Sequence, residues 1–387
     1  MKKLMKKTII CALLVFMMII LASCHSKQAQ PQVQIIDSSN LVESGNLFES
    51  AKSWDYIHLE TSGSVVLGEI QDVRCDMEKI FIADGHPGDV QKICVFDKTG
   101  QYLCSIGQRG RGHGEYISIR MWTLDLKNHE VVLCDAGKRI KKYDYSGRFV
   151  CEIKTDADFT YAESFLVLND GRYLVKNALN EAKSDEYLLC DKSFNIVDRI
   201  PHRNMTIHGL QSFMSSDMGH SKDSVYLMCD LCDIVYGIVD NRIVPVFTLN
   251  DTPQLPVDFH FGGEGVGEIM DIQRKLGFPM INGFFVMDDY LLFRSIKSDI
   301  LWNKKNKRGI KFMSERDMSK IEVVWPDKLV GTNGNTLIGV KTARQVQAEQ
   351  SISNEEGGYI SRKAKGLFDY CSSLDADCQI LLMYEYD

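Results

Sequence analysis

Residues 107–116 read Gly107-Gln-Arg-Gly-Arg-Gly-His-Gly-Glu-Tyr116, and this stretch decides the fold. It holds four glycines in eight positions. Each glycine costs about 1 kcal/mol relative to alanine inside a helix, so a helix is excluded. Apolar, strand-like runs stand on both sides, at Ile93–Phe96 and Met121–Leu124. The stretch is therefore predicted to be a tight loop that joins two strand-rich units.

An apolar strand that ends in a polar residue recurs six times along the chain. The first copy is Ile80-Phe-Ile-Ala-Asp84 and the last is Leu337-Ile-Gly-Val-Lys341, and successive polar ends lie 42 to 64 residues apart. A hairpin with an Asp-x-x-Gly turn follows, most clearly at Asp97–Gly100 and Asp144–Gly147, because Asp and Gly suit tight turns. A further strand, such as Met121–Asp125, opens each unit. Four short strands per repeat predict an all-β fold, a six-bladed β-propeller.

Two long segments interrupt this period. Asp251–Gly283 carries three prolines and has helical character at Glu268–Leu276, whereas Thr342–Asp377 is predicted to be a short helical insertion near the C-terminus. Strands Tyr56–Glu60 and Gln379–Asp387 lie outside the six repeats. We expect these two strands to share one blade and close the ring, which removes the open sheet edges.

The N-terminal segment, residues 1–23, is predicted to be a lipoprotein signal peptide. Four lysines precede the apolar run Ile9–Ala22, which is too short to span a membrane comfortably as a mature helix. The run ends in Leu21-Ala-Ser-Cys24, which resembles the bacterial lipobox and predicts lipidation at Cys24. Residues 24–50 are predicted to form a polar tether, and residues 51–387 the propeller.

Charge and cysteine content narrow the function. Removal of residues 1–23 takes away four lysines and no acid, so the formal charge falls from −7 to −11. An acidic body is a poor nucleic-acid binder, because affinity there depends on neutralising phosphates. Most of the 12 cysteines stand in apolar strands and are predicted to be core residues. Cys229 and Cys232 form a lone C-x-x-C, a weak metal or redox signal, and neither metal nor cofactor is predicted.

The sequence resembles the six-bladed β-propeller lipoproteins of Bacteroidetes, distant relatives of the NHL-repeat propellers. The likeness rests on the lipobox, the hairpin Val95–Gly100, the loop Gly110–Tyr116 and the terminal strand Leu382–Tyr386. His113 stands where the family loop usually has proline. The resemblance implies no particular activity. After Cys24, His25-Ser-Lys27 lacks the aspartate that favours inner-membrane retention and the acidic cluster associated with surface export. The predicted location is therefore the outer membrane, facing the periplasm, with surface exposure left open.

Two sets of residues are candidates for ligand binding. The first is the loop set Arg109, Arg111, His113 and Glu115. A second Gly-x-Gly-x-Gly-Glu motif at Gly263–Glu268 lies three repeats away, and the two loops could offer backbone N–H groups to an anion. The alternative is that the glycines only let the chain turn, while the glutamates bond nearby amides.

The second set consists of the polar residues that end the six repeated strands. These could line one mouth of the channel and suit a zwitterionic, polar or cationic ligand. The alternative is that they accept backbone hydrogen bonds where each strand turns. The set comprises Asp84, Asp135, Asn177, Asp230, Arg294 and Lys341.

The function predicted from these features is a lipid-anchored envelope module for binding or interaction. Its partners would be the membrane, through the lipid, and an envelope protein or a carbohydrate or peptide ligand. Gly-x-Ser-x-Gly, H-E-x-x-H and P-loop motifs are absent from the sequence, so no catalytic residue is predicted. The alternative is a periplasmic lyase or hydrolase that acts at the channel mouth, since a pair of distant carboxylates leaves no motif.

Overall fold

The structure is a computed structural model in which the described residues form 28 strands and two α-helices. The described residues are 33–61, 65–86, 89–136, 139–155, 159, 162–177, 185–201, 216–222, 224–230, 232–250, 281–295, 298–313, 319–355 and 358–387. None of their helices is long and apolar enough to cross a membrane.

Short turns join many of the strands that are neighbours in the chain, such as those at Asp97–Gly100 and Asp144–Gly147. Up to the first long gap in the description the strands are β1 (Gln34–Asp37), β2 (Val42–Ser44), β3 (Ser53–His58), β4 (Ile70–Cys75), β5 (Lys79–His86), β6 (Asp89–Asp97), β7 (Tyr102–Ser105), β8 (Ile119–Asp125), β9 (Glu130–Asp135), β10 (Arg139–Asp144), β11 (Phe149–Lys154), β12 (Ala162–Val167), β13 (Tyr173–Asn177), β14 (Asp185–Cys190) and β15 (Ile196–Pro201).

The remaining elements include both helices. They are β16 (Met218–Ser221), β17 (Ser224–Met228), β18 (Ile234–Val239), β19 (Arg242–Asn250), β20 (Ile281–Val286), β21 (Tyr290–Ser295), β22 (Ser298–Asn303), β23 (Arg308–Met313), β24 (Lys320–Ile321), β25 (Lys328–Asn333), β26 (Thr336–Thr342), α1 (Ala343–Glu355), β27 (Tyr359–Ile360), α2 (Arg362–Cys371) and β28 (Gln379–Glu385).

Most strands pair with their chain neighbours, antiparallel. Four separate sheets have four or five strands: β12 to β15, β16 to β19 with β1, β20 to β23 with β2, and β25, β26, β28 and β3. Strands β4 to β11 form one eight-stranded sheet, and β24 pairs only with β27. This arrangement is an all-β propeller with two short helices, as predicted. It differs from six separate units, because Val90 pairs with Ile119 and joins two of them into one sheet.

The last blade in the chain combines the two ends of the propeller. Strand β28 pairs antiparallel with β3 over six residue pairs, from Ile380 opposite His58 to Glu385 opposite Ser53. On its other side β28 pairs with β26. The predicted closure of the ring by the two terminal strands is confirmed.

The repeated hairpin turns form because an aspartate folds back on its own turn. Asp144 Oδ1 accepts hydrogen bonds from the backbone N–H of Ser146 at 2.9 Å and of Arg148 at 3.0 Å. Gly147 has φ +82°, and a Cβ there would lie 2.3 Å from the Ser105 carbonyl oxygen. Only glycine fits both conditions, which explains the Asp-x-x-Gly signature.

The core lies between neighbouring sheets. Val132 and Ile140 from one unit pack with Phe165 and Val175 from the next, and all four are fully buried. A central strand such as Val131–Cys134 is buried on both faces, so it reads as an unbroken apolar run instead of an alternating one. The second strand of each repeat was therefore easy to recognise in the sequence.

Residues 34–44 differ from the predicted tether. Gln34–Asp37 pair in parallel with Phe247–Asn250 at the outer edge of one sheet, and Val42–Ser44 pair with Ile310–Phe312 at the edge of another. Both edges keep unpaired backbone groups that an extended segment can satisfy, whatever its side chains. The signal peptide, Cys24 and the predicted helix 268–276 lie outside the described residues.

The helical insertion is confirmed at α1 and α2, which stand between β26 and β28. Their buried side chains, among them Val346, Leu367 and Phe368, pack in one cluster with Leu382 and Tyr384 of β28. The insertion therefore covers the blade that closes the ring.

Candidate ligand-binding site

A cavity of about 610 Å³ runs through the centre of the propeller. Its walls come from β4, β8, β12, β16, β20 and β25, the strands that open the repeats. Small-molecule sites usually measure about 300–1,000 Å³ and combine apolar walls with a few fixed polar groups. We name this cavity the central channel.

Arg74 is the best-defined charged group in the central channel. Its Nε donates to Asp72 Oδ2 at 2.8 Å, and its Nη1 donates to Thr123 Oγ1 at 2.5 Å. The second terminal nitrogen, Nη2, makes no hydrogen bond to any described residue. The side chain keeps 21% of its exposure. A guanidinium that is held on one edge and open on the other is arranged to donate to a ligand.

Trp122 adds an aromatic surface next to this charge. The Arg74 guanidinium carbon lies 5.0 Å from the centre of the Trp122 ring, which is a cation–π distance. Within the described part of the chain, the buried Trp122 indole N–H has no hydrogen-bond partner. Buried indoles usually find a partner, so this unpaired N–H is an exception in the core behind the channel wall.

His220 lines the channel on β16 and is neutral at pH 7. Its shielding from water lowers its pKa to about 4, and the positive charge of Arg74 acts in the same direction. A neutral imidazole with so low a pKa can exchange hydrogen bonds with a ligand, but it is a weak base.

A buried ionic cluster supports the channel wall between β13 and β17. Lys176 is fully buried, and its Nζ lies 2.8 Å from Asp217 Oδ2 and 2.8 Å from Asp230 Oδ2. Glu186 accepts a hydrogen bond from the Asp230 backbone N–H at 2.7 Å. Three carboxyl groups thus surround one ammonium group in a region with little water.

Burial and the neighbouring acidic groups explain why Glu186 is protonated. Burial, and then the charge of Asp230, raise its pKa to about 8, well above the ordinary value of 4.5. Glu186 therefore holds a proton at neutral pH, which reduces repulsion within the cluster.

None of the strand-end residues is among the described residues that line the central channel. Asp84 accepts from the Gly68 N–H at 2.7 Å, and Asp135 accepts from the Ile117 N–H at 2.8 Å. Arg294 is paired with Asp299 at 3.0 Å. Asp230 pairs with Lys176, as described above. These contacts favour the alternative in which the strand ends fasten the backbone, and ligand binding by this set stays a prediction.

The other two members of the strand-end set also make internal contacts. Asn177 Nδ2 donates to the Asp185 carbonyl oxygen at 2.8 Å. Lys341 Nζ pairs with Glu349 of α1 and donates to the Trp325 carbonyl oxygen. These contacts agree with the alternative that the strand ends fasten the backbone.

The loop 107–116 connects β7 and β8 as predicted. Arg109 is committed to internal contacts, since Nη1 donates to Gln91 Oε1 at 2.9 Å and Nε to the Ile117 carbonyl at 3.1 Å. Glu115 accepts from the Gly112 N–H at 2.7 Å. Arg111 and His113 are exposed. The second glycine motif, Gly263–Glu268, lies outside the described residues. The pairing of the two loops therefore stays a prediction.

Sequence reasoning missed Arg74, Trp122 and His220. One signal was available, because the opening strand Ile70–Cys75 carries two charged residues, Asp72 and Arg74, among the apolar side chains Ile70, Val73 and Cys75. Its meaning depends on knowing that the opening strands face the channel, and only the ring geometry supplies that.

The fold and cavity together define a β-propeller with a central channel of ligand size. The chain belongs to the family DUF4934, a domain of unknown function, whose model matches residues 32–361. No curated protein matches the sequence.

Two solved structures resemble the protein over most of their length. A protein of Bacteroides fragilis described as exported aligns with TM-score 0.68 and 16% identity, over 92% of this chain and all of that one. A member of the DUF4221 family from Bacteroides vulgatus aligns with TM-score 0.52 and 9% identity, over 87% and 97%. At these identities the likeness establishes the fold alone.

The protonated Glu186 predicts a measurable pH dependence. Between pH 4.5 and about 8 the folded protein holds a proton that the unfolded chain releases, so the free energy of unfolding falls as pH rises. The limiting slope is about 1.4 kcal/mol per pH unit. Glu186→Gln keeps an acceptor and should flatten this slope in urea unfolding measured from pH 5 to 8.

The matched control is Glu78→Gln, because the Glu78 side chain is 82% exposed and should leave the slope as in the wild type. If the Glu186→Gln and wild-type curves ran parallel across this range, Glu186 would not carry the proton.

Proposed function

We propose that the protein is a lipid-anchored binding module of the bacterial envelope, and that its ligand occupies the central channel. The observation that carries this proposal is the half-used guanidinium of Arg74 beside Trp122 in a cavity of about 610 Å³. The ligand class that fits is a small polar molecule with an acceptor group for the open side of the Arg74 guanidinium.

The ring of the proposed module has six blades. The eight-stranded sheet would supply two of them, because its halves, β4 to β7 and β8 to β11, are joined by one residue pair only. The contribution of six opening strands to one channel supports the same count. Six blades leave a central space that side chains fill only in part, which suits a ligand site.

Binding is favoured over catalysis by the chemistry of the channel wall. A general base works best when its pKa lies near the working pH, and the pKa of His220 is about 4. The Arg74 guanidinium can donate hydrogen bonds to an anion or a carbonyl, but it offers no acceptor. A lyase or hydrolase acting at the channel mouth is the weaker candidate.

The proposed location is the periplasmic face of the outer membrane, held by lipid on Cys24. The lipobox supports the anchor, and the structural likeness to a Bacteroides protein described as exported supports an envelope location. The short parallel strands β1 and β2 would hold the start of the propeller close to the anchor. Between Cys24 and Val33 the chain can span at most about 3.3–3.6 Å per residue.

The channel site predicts a strong effect of Arg74. Thermal-shift and calorimetric titrations of the full-length detergent-solubilised protein would use a panel of monosaccharides, uronic acids and dipeptides. A probe that stabilises the wild type should bind at least tenfold more weakly to Arg74→Gln, because a hydrogen bond from a charged donor contributes about 1.5–3 kcal/mol. Arg74→Lys keeps the positive charge but loses the planar guanidinium, so its probe affinity should lie between those of the wild type and Arg74→Gln.

The matched control for this series is Arg148→Gln. Arg148 is 82% exposed on a hairpin turn, and among the described residues its ion pair is with Asp144, so probe affinity should stay within about twofold. The channel assignment fails if the wild type binds no probe of the panel. It fails equally if Arg74→Gln binds every probe as tightly as the wild type does.

The anchor predicts lipid labelling at one residue. Wild-type protein expressed in cells that are fed labelled palmitate should carry the label and sediment with the outer membrane. Cys24→Ser should lose the label and appear in the soluble periplasmic fraction, because the remaining chain has no lipid to hold it. An unlabelled wild type, or a Cys24→Ser protein that still sediments with membranes after a salt wash, would contradict the anchor.

A further inference from the structure

A second cavity lies at the loop 107–116, apart from the central channel. Its volume is about 450 Å³, and none of its lining residues belongs to the channel wall. We name it the loop cavity. Its lining includes Arg111, His113, Arg139, Lys141, Phe149 and Glu152.

The loop that forms one side of this cavity is held in place from below. Tyr143 Oη donates to the Gly114 carbonyl oxygen at 2.9 Å, and Lys141 Nζ donates to the Glu115 carbonyl oxygen. Gly114 has φ +74°, and a Cβ there would lie 2.8 Å from Phe149. Because the loop is fixed by these contacts, little ordering would be required when a ligand binds.

Two arginines stand at this cavity without any partner among the described residues. Arg111 comes from the loop and Arg139 from the start of β10, and both are exposed. Neither side chain makes an ion pair or a hydrogen bond with the described part of the chain, whereas the Arg109 side chain donates to Gln91 and to the Ile117 carbonyl oxygen. Guanidinium groups match carboxylate geometry with two parallel hydrogen bonds, so a pair of unused forks favours an anionic group.

The floor of the loop cavity carries an acceptor that is not fully used. Lys141 lies 3.1 Å from Asp135 Oδ2 and 3.7 Å from Glu152 Oε2. Glu152 accepts no hydrogen bond from any described residue, and its side chain is 26% exposed. An ionised carboxylate in this position can accept hydrogen bonds from ligand hydroxyl groups.

An aromatic wall completes the site. The His113 and Phe149 rings meet edge to face, with centroids 5.1 Å apart and an interplanar angle of 76°. Phe149 therefore offers an apolar surface between the arginines and the carboxylate. The C–H face of a sugar ring would bury apolar area against such a surface.

We infer that the loop cavity binds an acidic sugar, independently of the ligand proposed for the channel. The sugar carboxylate lies between Arg111 and Arg139, its hydroxyl groups donate to Glu152, and its ring packs on Phe149. A zwitterionic amino acid or peptide fits less well. Its ammonium group would have to approach Glu152, where Lys141 already places a positive charge 3.7 Å away.

Titration of the full-length solubilised protein with D-glucuronate tests this inference. The wild type should bind glucuronate at least tenfold more tightly than glucose, which lacks the carboxylate. Arg111→Gln with Arg139→Gln should abolish that preference. Glu152→Ala should weaken both sugars about equally, because it removes a contact to hydroxyl groups that they share.

The matched control is Arg199→Gln with Arg344→Gln. These arginines are 56% and 69% exposed in other parts of the propeller, so the double variant makes the same charge change and should keep the wild-type affinity. A crystal soaked in glucuronate should show the sugar between Arg111 and Arg139.

Several results would overturn the assignment. They are equal binding of glucose and glucuronate, tighter binding of glycylglycine than of glucuronate, and equal competition by inorganic phosphate, which would indicate a simple anion site. Wild-type affinity in the Arg111→Gln/Arg139→Gln protein, or sugar density confined to the central channel, would do the same.

Discussion

The pairing of β3 with β28 is the constraint on which the rest of the structure depends. Every other blade consists mainly of strands that follow one another in the chain, with β1 and β2 added at two sheet edges, and loop closure makes pairings of chain neighbours inexpensive. The pairing of β3 with β28 joins residues more than 300 positions apart, so its contacts must offset a larger loss of chain entropy on loop closure. The buried cluster of α1, α2 and β28 contributes to that, because it packs apolar side chains on the closing blade. Once the ring is closed, the opening strands face one another across a channel of fixed width.

Because of the ring geometry, polar residues on neighbouring strands have different environments. A charge on an opening strand, such as Arg74, faces the channel and keeps unused hydrogen-bonding capacity. A charge at the end of the next strand, such as Asp135 or Asp230, is buried and must be neutralised inside the sheet, which Lys141 and Lys176 accomplish. The same residue types therefore line the channel in one layer and hold the backbone in the next. The loop cavity breaks this division, because Asp135 and Lys141 form its floor while Arg111 and Arg139 stay open.

Much of the fold could be read from the sequence because its signals are local. The Asp144–Gly147 turn needs aspartate and glycine for reasons contained in four residues, and the buried second strands are unbroken apolar runs. The helical insertion and the closing strands were also recognisable. The pairing of residues 34–44 was not, because an edge strand is fixed by backbone groups and leaves little mark on side chains. The site was harder still. Arg74 and Arg139 become meaningful only when neighbouring strands place them beside a cavity, whereas Arg109, the more conspicuous residue in the sequence, is bound to Gln91.

Hydrogen exchange of the β3 and β28 backbone amides tests the closed ring most directly. If β3 locks the propeller, amides such as those of Tyr56 and Leu382 should exchange as slowly as those of the central strand β9, through global unfolding only. Exchange of the β3 amides that is about a thousandfold faster than that of β9 would mean that the ring opens at this blade, because that ratio corresponds to a local opening about 4 kcal/mol easier than global unfolding. The channel would then lack the fixed width on which ligand binding depends.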